Sequence, residues 1–170
     1  ETDAATEVDE AGSTDTFTVI LDAQPTSDVV LTITSDDTGE ATVPASLTFT
    51  VADWDTPQTV TVTGADDSII DGTTTSTITI AVDDANSDDD FDAVTDQTLS
   101  VDTTDDDVAG FTIEETEGAT EVDESGSTDT FTIVLDAQPT NDVVVLATAS
   151  NDETEAIVSG SITFTSENWD

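Results

Sequence analysis

The feature that most constrains the fold is an internal repeat with a period of 114 residues. Residues 5–30 read ATEVDEAGSTDTFTVILDAQPTSDVV and residues 119–144 read ATEVDESGSTDTFTIVLDAQPTNDVV, so 22 of 26 aligned positions are identical. The offset becomes 115 between SLTFTVADWD (46–55) and SITFTSENWD (161–170). A disordered chain has no reason to keep such a unit with its apolar positions. The repeat therefore predicts a folded domain at residues 1–107, its first strand truncated, and the first half of a second, near-identical domain at residues 108–170.

Strand signals are dense within each repeat, and most of the segments alternate with period two. They are rich in Thr, Val and Ile and are separated by turn residues such as Asp71-Gly72. The pattern predicts strands at residues 16–22, 28–34, 46–51, 58–63, 76–83 and 97–103, with 111–114 opening the second repeat. About seven strands in each repeat predict an all-β fold of tandem immunoglobulin-like antiparallel sandwiches.

The apolar positions of these strands define a predicted core. Along residues 58–63 we expect Val60 and Val62 to face inward and the intervening threonines to face water. The aromatic residues are also assigned to the core, because large aromatic side chains are most often buried there. They are Phe17, Phe49 and Trp54 in the first repeat, and Phe131, Phe164 and Trp169 in the second.

Charge excludes several functions. The chain holds 41 Asp and Glu and no Lys, Arg or His, for a formal charge of −41. No cationic side chain is present to replace the counterions of phosphate groups, so we expect no binding to nucleic acids or to anionic membranes. The chain also lacks Cys, and with no His, Cys or Lys to act as base or nucleophile we expect that it is not an enzyme.

The carboxylates gather in the turns between strands. Two carboxylates about 4 Å apart repel by roughly 4 kcal/mol at an effective dielectric of about 20. Because alternate loops of a sandwich emerge at the same end, loops remote in sequence can bring several carboxylates together. Ca²⁺ is the fitting ion, since it takes six to eight oxygen ligands in flexible geometry, whereas zinc prefers nitrogen and sulfur. The open alternative is that these acids are solvated surface residues.

The order of the motifs carries a resemblance to a known family. The segments ATEVDESGSTDTFTIVLD, PQTVTV followed by an acid pair, and VDTTDDDVAGFTI resemble the Calx-β repeat. That family is a calcium-binding, immunoglobulin-like sandwich found in sodium–calcium exchangers and giant bacterial surface proteins. The resemblance covers the whole repeat. Its most specific parts are the triplet DDD before Val108-Ala109-Gly110 and the acid pair after PQTVTV.

The resemblance implies a set of calcium ligands at one end of the domain. In the family these are a glutamate of the first strand, an aspartate after the third, an acid pair with a following acid, and a terminal triplet. By position they fall on Glu1 and its repeat Glu115, Asp37 and its repeat Asp152, Asp66, Asp67, Asp71, Asp105, Asp106 and Asp107. The chain departs from the family after Asp71, where GTTTSTITI replaces further acids, and the acidic loop 83–92 is left as a possible second site.

These expectations combine into a functional hypothesis. Near-identical repeats with calcium at their junctions imply an extracellular structural rod or fibre, such as a biofilm matrix filament, whose partners are copies of itself. We expect the 170 residues to be a window from a longer tandem array. The alternatives are the spacer stalk of a giant adhesin, a calcium sensor, or a ligand-binding adhesion module. Threonine-rich outer faces also occur in ice-binding proteins, although Thr is an ordinary solvent-facing strand residue.

Overall fold

The computed structural model describes residues 6–149, 157–158 and 160–170 of the chain. The described residues are all-β: they contain twelve strands and three short 3-10 helices, at Asp84–Asn86, Asp89–Phe91 and Thr116–Gly118. In this part of the chain no helix has the length and apolar character needed to cross a membrane. The strands are β1 Thr6–Asp9, β2 Thr14–Val19, β3 Val29–Ser35, β4 Ala41–Thr42, β5 Ser46–Phe49, β6 Gln58–Gly64, β7 Thr74–Val82, β8 Gln97–Thr104, β9 Phe111–Glu115, β10 Phe131–Leu135, β11 Val143–Ala147 and β12 Gly160–Phe164.

The chain divides into two compact units, which are described separately. The first unit comprises Glu1–Asp67 and Asp71–Asp106, and the second comprises Ser68–Ile70 and Asp107–Asp170. The first unit contains β1 to β8, and the second contains β9 to β12.

Two sheets build the first unit. One has the strand order β1-β8-β7-β3-β5 and the other has the order β2-β6-β4. The pairs are antiparallel except for β1 and β8, which run parallel with Thr6 opposite Val101. Buried Val60 and Val62 of the smaller sheet pack with Ile33 and Ile78 of the larger one. The two sheets therefore form a sandwich around a shared apolar core.

The period-two pattern of β6 is confirmed. Val60 and Val62 are fully buried, whereas Thr59 and Thr61 are exposed. The predicted aromatic core of the first unit is also confirmed for Phe17 and Phe49, which are buried. Trp54 and its counterpart Trp169 are half-buried, as is Phe131, while Phe164 is buried.

Two strands of the first unit, β1 and β4, were not predicted from the sequence. β1 has the sequence TEVD, in which Val8 is the single aliphatic residue, so no alternation marks it as a strand. Its backbone is instead held by the parallel pairing with β8, a contact between residues about 95 positions apart. β4 consists of Ala41 and Thr42 alone, which is too short for any periodicity to show.

The second unit reproduces local structure of the first. β11 pairs with β12 so that Val143 lies opposite Phe164, as Val29 lies opposite Phe49 in the first unit. The Leu135 N–H donates to the Trp169 carbonyl oxygen at 2.8 Å, and the equivalent bond from Leu21 to Trp54 measures 3.2 Å. The repeat seen in the sequence is therefore also a repeat of backbone pairing.

Candidate metal centre

One end of the first unit collects acidic loops from both sheets. β1 and β8 are parallel and end together, and β7, antiparallel to β8 and β3, begins at the same end. β6 ends where β4 begins, since Gly64 lies opposite Ala41. Five acids flank these strand termini: Glu10 after β1, Glu40 before β4, Asp67 after β6, Asp71 before β7 and Asp105 after β8.

Three of these acids form a compact cluster. Glu10, Glu40 and Asp67 each present one carboxylate oxygen, and the three oxygens lie within 4.8 Å of one another. We call this group the Glu10–Glu40–Asp67 cluster. Asp67 is exposed, but Glu10 and Glu40 retain only 1% and 6% of their accessible surface. Such burial is unusual for glutamate, which is almost never fully buried unless it is paired.

Each buried glutamate has one oxygen without a hydrogen-bond partner. Among the described residues no group donates a hydrogen bond to Oε2 of Glu10 or to Oε2 of Glu40. An isolated ionised carboxylate is costly to remove from water, because the lost hydration must be replaced by a donor or a cation. Since the chain has no cationic side chain, a proton or a bound metal ion is the group that can satisfy these oxygens.

Backbone contacts fix the two glutamates at the strand ends. The Glu10 N–H donates to the Thr104 carbonyl oxygen at 3.1 Å, which continues the pairing of β1 with β8. The Glu40 carbonyl oxygen accepts from the Ala65 N–H at 2.8 Å and from the Thr103 hydroxyl at 3.3 Å. A side chain at Gly64 would collide with the Asp9 carbonyl oxygen, so glycine permits this close approach of β6 to the end of β1.

The neighbouring acids have defined positions around the cluster. Oδ2 of Asp105 accepts hydrogen bonds from the N–H groups of Asp71 at 3.0 Å and Gly72 at 2.8 Å. Gly72 has a φ of 79°, a left-handed conformation that glycine adopts without strain. Oδ1 of Asp37 accepts from the Gly39 N–H at 3.0 Å. These bonds fix the carboxylates of Asp105 and Asp37, and the backbone of Asp71, at the same end of the unit.

The electrostatic consequence is a raised pKa for both buried glutamates. Burial raises the pKa of Glu10 from its ordinary value of 4.5 to about 7, and the charges of Asp105, Asp67, Asp71 and Glu40 add to the effect. Burial also raises the pKa of Glu40, with further contributions from neighbouring aspartates. Without a cation, Glu10 therefore carries a proton in a large fraction of molecules at neutral pH.

The ligands predicted from the sequence fall into three groups. Asp67 belongs to the cluster, and Asp37, Asp71 and Asp105 lie near enough for their charges to raise the pKa of a buried glutamate. Of the other predicted ligands that the structure describes, Asp107 is half-buried, Asp66 and Asp106 are exposed, and Glu115 is exposed at the end of β9. The predicted ligands Glu1 and Asp152 lie outside the described residues.

The two buried glutamates were missed by the sequence analysis. The search weighted runs of adjacent acids, whereas Glu40 stands alone between Gly39 and Ala41. Glu10 follows Val8-Asp9 in a segment that was not predicted as a strand. The signal that could have found them is their position directly beside a strand end: Glu40 precedes Ala41 of β4, and Glu10 follows Asp9 of β1.

The acidic loop at residues 83–92 contains a buried acid of another kind. Asp88 is only 4% exposed, and its carboxylate accepts from the Thr26 N–H at 2.6 Å, the Thr26 hydroxyl at 2.8 Å, the Ser27 N–H at 2.8 Å and the Asp90 N–H at 3.0 Å. The bond from the Thr26 hydroxyl, helped by those from the backbone, holds the pKa of Asp88 well below its usual range. Asp88 thus has the donors that the buried glutamates lack, which supports a structural role for this loop.

Comparisons with known proteins give no family. No family model and no curated protein matches the chain. Among solved structures it is similar to a Bacteroides ovatus GH5 xyloglucanase in complex with a XXXG heptasaccharide, with 15% identity, a TM-score of 0.39, and coverage of 59% of this chain and 17% of that chain. It is also similar to SSP-19, an MSP-domain protein like family member of Caenorhabditis elegans, with 17% identity, a TM-score of 0.38, and coverage of 59% and 92%. Similarity this weak carries no argument about function.

Proposed function

We propose that the chain is a structural extracellular repeat protein in which calcium, bound at the Glu10–Glu40–Asp67 cluster, stabilises each repeat and stiffens a rod or fibre. The observation that carries the proposal is the pair of buried glutamates with unpartnered oxygens. A solvated acidic surface does not account for them, because solvated acids keep access to water. The proposed function is structural rather than enzymatic.

The donor set favours calcium over other ions. All candidate ligands are carboxylate oxygens, which are hard donors. Ca²⁺ accepts six to eight such oxygens at about 2.3–2.6 Å, whereas Mg²⁺ demands octahedral geometry and keeps several waters. Asp37, Asp71 and Asp105 surround the cluster and can complete the coordination. Calcium sites of extracellular modules bind at about 10⁻⁴–10⁻³ M, so a site of this class fills outside the cell.

The topology of the first unit supports an immunoglobulin-like assignment of the Calx-β type. β2 and β6 lie in one sheet, as strands B and E do in immunoglobulin domains, and β3, β7 and β8 lie in the other, as strands C, F and G do. The cluster lies beside the end of β8, the last strand of the unit. An ion there would hold Asp105 and so restrict the residues that lead to the next repeat.

The repeat pattern supports an assembly of like units. Copies of the repeat are the expected partners, and the charge of −41 opposes binding to nucleic acids and anionic membranes. The same charge opposes lateral contact between rods unless cations bridge them. The stalk of an adhesin would use the same unit, and a different domain elsewhere in the protein would distinguish it from a fibre.

A calcium titration tests the proposal. Isothermal calorimetry should show binding with a dissociation constant near 10⁻⁴–10⁻³ M, and circular dichroism should show a higher melting temperature in calcium than in chelator. Magnesium and sodium chloride at equal ionic strength are the controls, because they screen charge without filling the site. A β fold whose melting temperature is the same in calcium, magnesium and chelator would refute the proposal.

A further inference from the structure

The sequence contains a single Asp–Gly pair, Asp71–Gly72, which lies in the loop between β6 and β7. Both residues are exposed, so water reaches them. Gly72 has a φ of 79°, and among the described residues no heavy atom lies within 4 Å of the point where a side chain on it would begin. The pair therefore lies in an open part of the loop, where the backbone has room to rearrange.

An aspartate that precedes glycine has a route to a chemical change that needs no enzyme. The backbone nitrogen of the glycine attacks Cγ of the aspartate, and a C–N bond replaces the C–O bond of the carboxyl hydroxyl. That hydroxyl leaves as water with the proton from the nitrogen, and a five-membered succinimide ring remains. Water then opens the ring at either carbonyl carbon and gives aspartate or isoaspartate, in which the main chain runs through the former side chain. Glycine favours ring closure because it has no Cβ to crowd the attacking nitrogen.

The Asp105 carboxylate holds the backbone of this pair. Its Oδ2 accepts hydrogen bonds from the Asp71 N–H at 3.0 Å and from the Gly72 N–H at 2.8 Å. The Gly72 nitrogen must leave this bond and lose its proton before it attacks, and a hydrogen bond to a charged acceptor opposes both steps. The carboxylate also repels the negative charge that develops on the nitrogen. The attacking atom is therefore restrained in the folded unit by a residue remote in sequence.

We propose that Asp71 is a site of spontaneous isomerisation to isoaspartate, and that the Asp105 carboxylate limits its rate by restraining the Gly72 nitrogen. The pair Asp22–Ala23 provides a comparison within the same unit, because both residues are exposed but the second carries a Cβ. Ring closure at Asp22 is slower for that reason.

Isomerisation would change the acidic end of the first unit. The main chain gains a methylene group at Asp71, so the Gly72 N–H moves away from Asp105. The Asp71 carboxyl group, which shares a hydrogen bond with Glu40, becomes part of the new peptide bond, and a carboxylate appears instead on the former backbone carbonyl carbon. The change requires only water and time, so it accumulates as the protein ages.

Isoaspartate formation in the whole chain tests the proposal. The native protein and its variants are incubated in chelator at neutral pH and physiological temperature, so that the result does not depend on calcium. They are then digested with elastase, because the chain has no Lys or Arg for trypsin, and electron-transfer mass spectrometry distinguishes isoaspartate from aspartate at each position. Isoaspartate should accumulate faster at Asp71 than at Asp22.

Substitution of Asp105 tests the restraint. Asp105→Ala should raise the rate at Asp71 by about three- to tenfold, the change that corresponds to the loss of one hydrogen bond, and leave the rate at Asp22 unchanged. Asp105→Asn keeps an acceptor oxygen and should give a smaller increase. The matched control is Asp106→Ala, which removes the same charge from the exposed neighbouring residue and should leave the rate at Asp71 unchanged.

The site would be wrong if isoaspartate formed no faster at Asp71 than at Asp22 in both the native chain and Asp105→Ala. The restraint would be wrong if Asp105→Ala left the rate at Asp71 unchanged, or if Asp106→Ala raised it equally. A proportional increase at Asp71 and Asp22 would indicate general unfolding and would also overturn it. A lower rate in Asp105→Ala would overturn it too, because the carboxylate would then act as a base towards the Gly72 amide.

Discussion

Replacing Glu10 by glutamine should have opposite effects in the absence and presence of calcium. Without the ion, Glu10→Gln removes a buried charge that faces only other carboxylates. The oxygens of Glu10 and Glu40 in the cluster lie within 4.8 Å, a distance at which two unit charges repel by about 3.5 kcal/mol at an effective dielectric of about 20. Protonation already relieves part of this repulsion in the native protein, and a buried amide keeps some desolvation cost. We therefore expect a net stabilisation of about 1–2 kcal/mol in chelator at pH 7.5.

With calcium present the same substitution removes one of the proposed calcium ligands. If the native site binds at about 10⁻⁴ M, 10 mM calcium stabilises the first unit by about 2.7 kcal/mol, which corresponds to a rise in melting temperature of roughly 10–20 °C for a unit of this size. We expect Glu10→Gln to weaken calcium binding by at least about tenfold, since glutamine lacks the charge of the lost ligand. Most of the rise in melting temperature should then disappear.

Thermal unfolding followed by circular dichroism measures both effects in one protein. The matched control is Glu124→Gln, because Glu124 is the repeat of Glu10 in nearly the same local sequence but is exposed. That variant should melt like the native chain in both conditions. The reasoning would fail if Glu10→Gln lowered the melting temperature in chelator, or if calcium stabilised Glu10→Gln as much as it stabilises the native chain.

Four further predictions test the ion-free site and the fold around it. Because the folded pKa of Glu10 is raised from 4.5 to about 7, the folded state binds more protons than the unfolded state in this window, so the melting temperature in chelator should fall as pH rises from 4.5 to 7. Asp88→Asn should lower the melting temperature in chelator, since it weakens four hydrogen bonds to one buried carboxylate. Phe49→Ala should cost about 3–5 kcal/mol in urea unfolding because the side chain is fully buried. Gly64→Ala should cost about 1–3 kcal/mol in the same assay through its collision with the Asp9 carbonyl.

The long strands could be predicted from sequence because their burial alternates locally. In β6, Val60 and Val62 alternate with threonine within seven consecutive residues, so the pattern is visible in the segment itself. β1 could not be found in this way, because its sequence TEVD has no apolar alternation and its place is set by pairing with β8 far along the chain. The parallel pairing of β1 with β8 forms only in the folded unit, so the sequence of β1 alone does not reveal it.

The sequence indicated the acidic end of the candidate site, because acid-rich turns are a local feature, but it did not indicate which acids are buried. Acids in turns indicated which end of the sandwich would be negative, and Asp67, Asp71 and Asp105 do lie at that end. The sequence could not show which acids lose contact with water, because burial depends on the elements that cover them. The Glu10 backbone is held where β1 ends beside β8, and the Glu40 carbonyl oxygen accepts from Ala65 after β6, so both positions depend on pairing between distant segments.

The position of the cluster implies that binding of the proposed ion and folding would be one equilibrium. Glu10 follows a strand of the five-stranded sheet, whereas Glu40 and Asp67 flank strands of the three-stranded sheet. An ion held by all three would connect the two sheets, and the ligands would separate when the sheets do. Calcium affinity should therefore fall in any variant that loosens the contact between the sheets, even one far from the cluster. The apparent affinity should decrease in proportion to the fraction of molecules in which the three ligands remain together. Weaker calcium binding in a core variant would show that the ligands are positioned by the packing of the two sheets. A melting temperature that rises with calcium would show that the bound ion stabilises that packing.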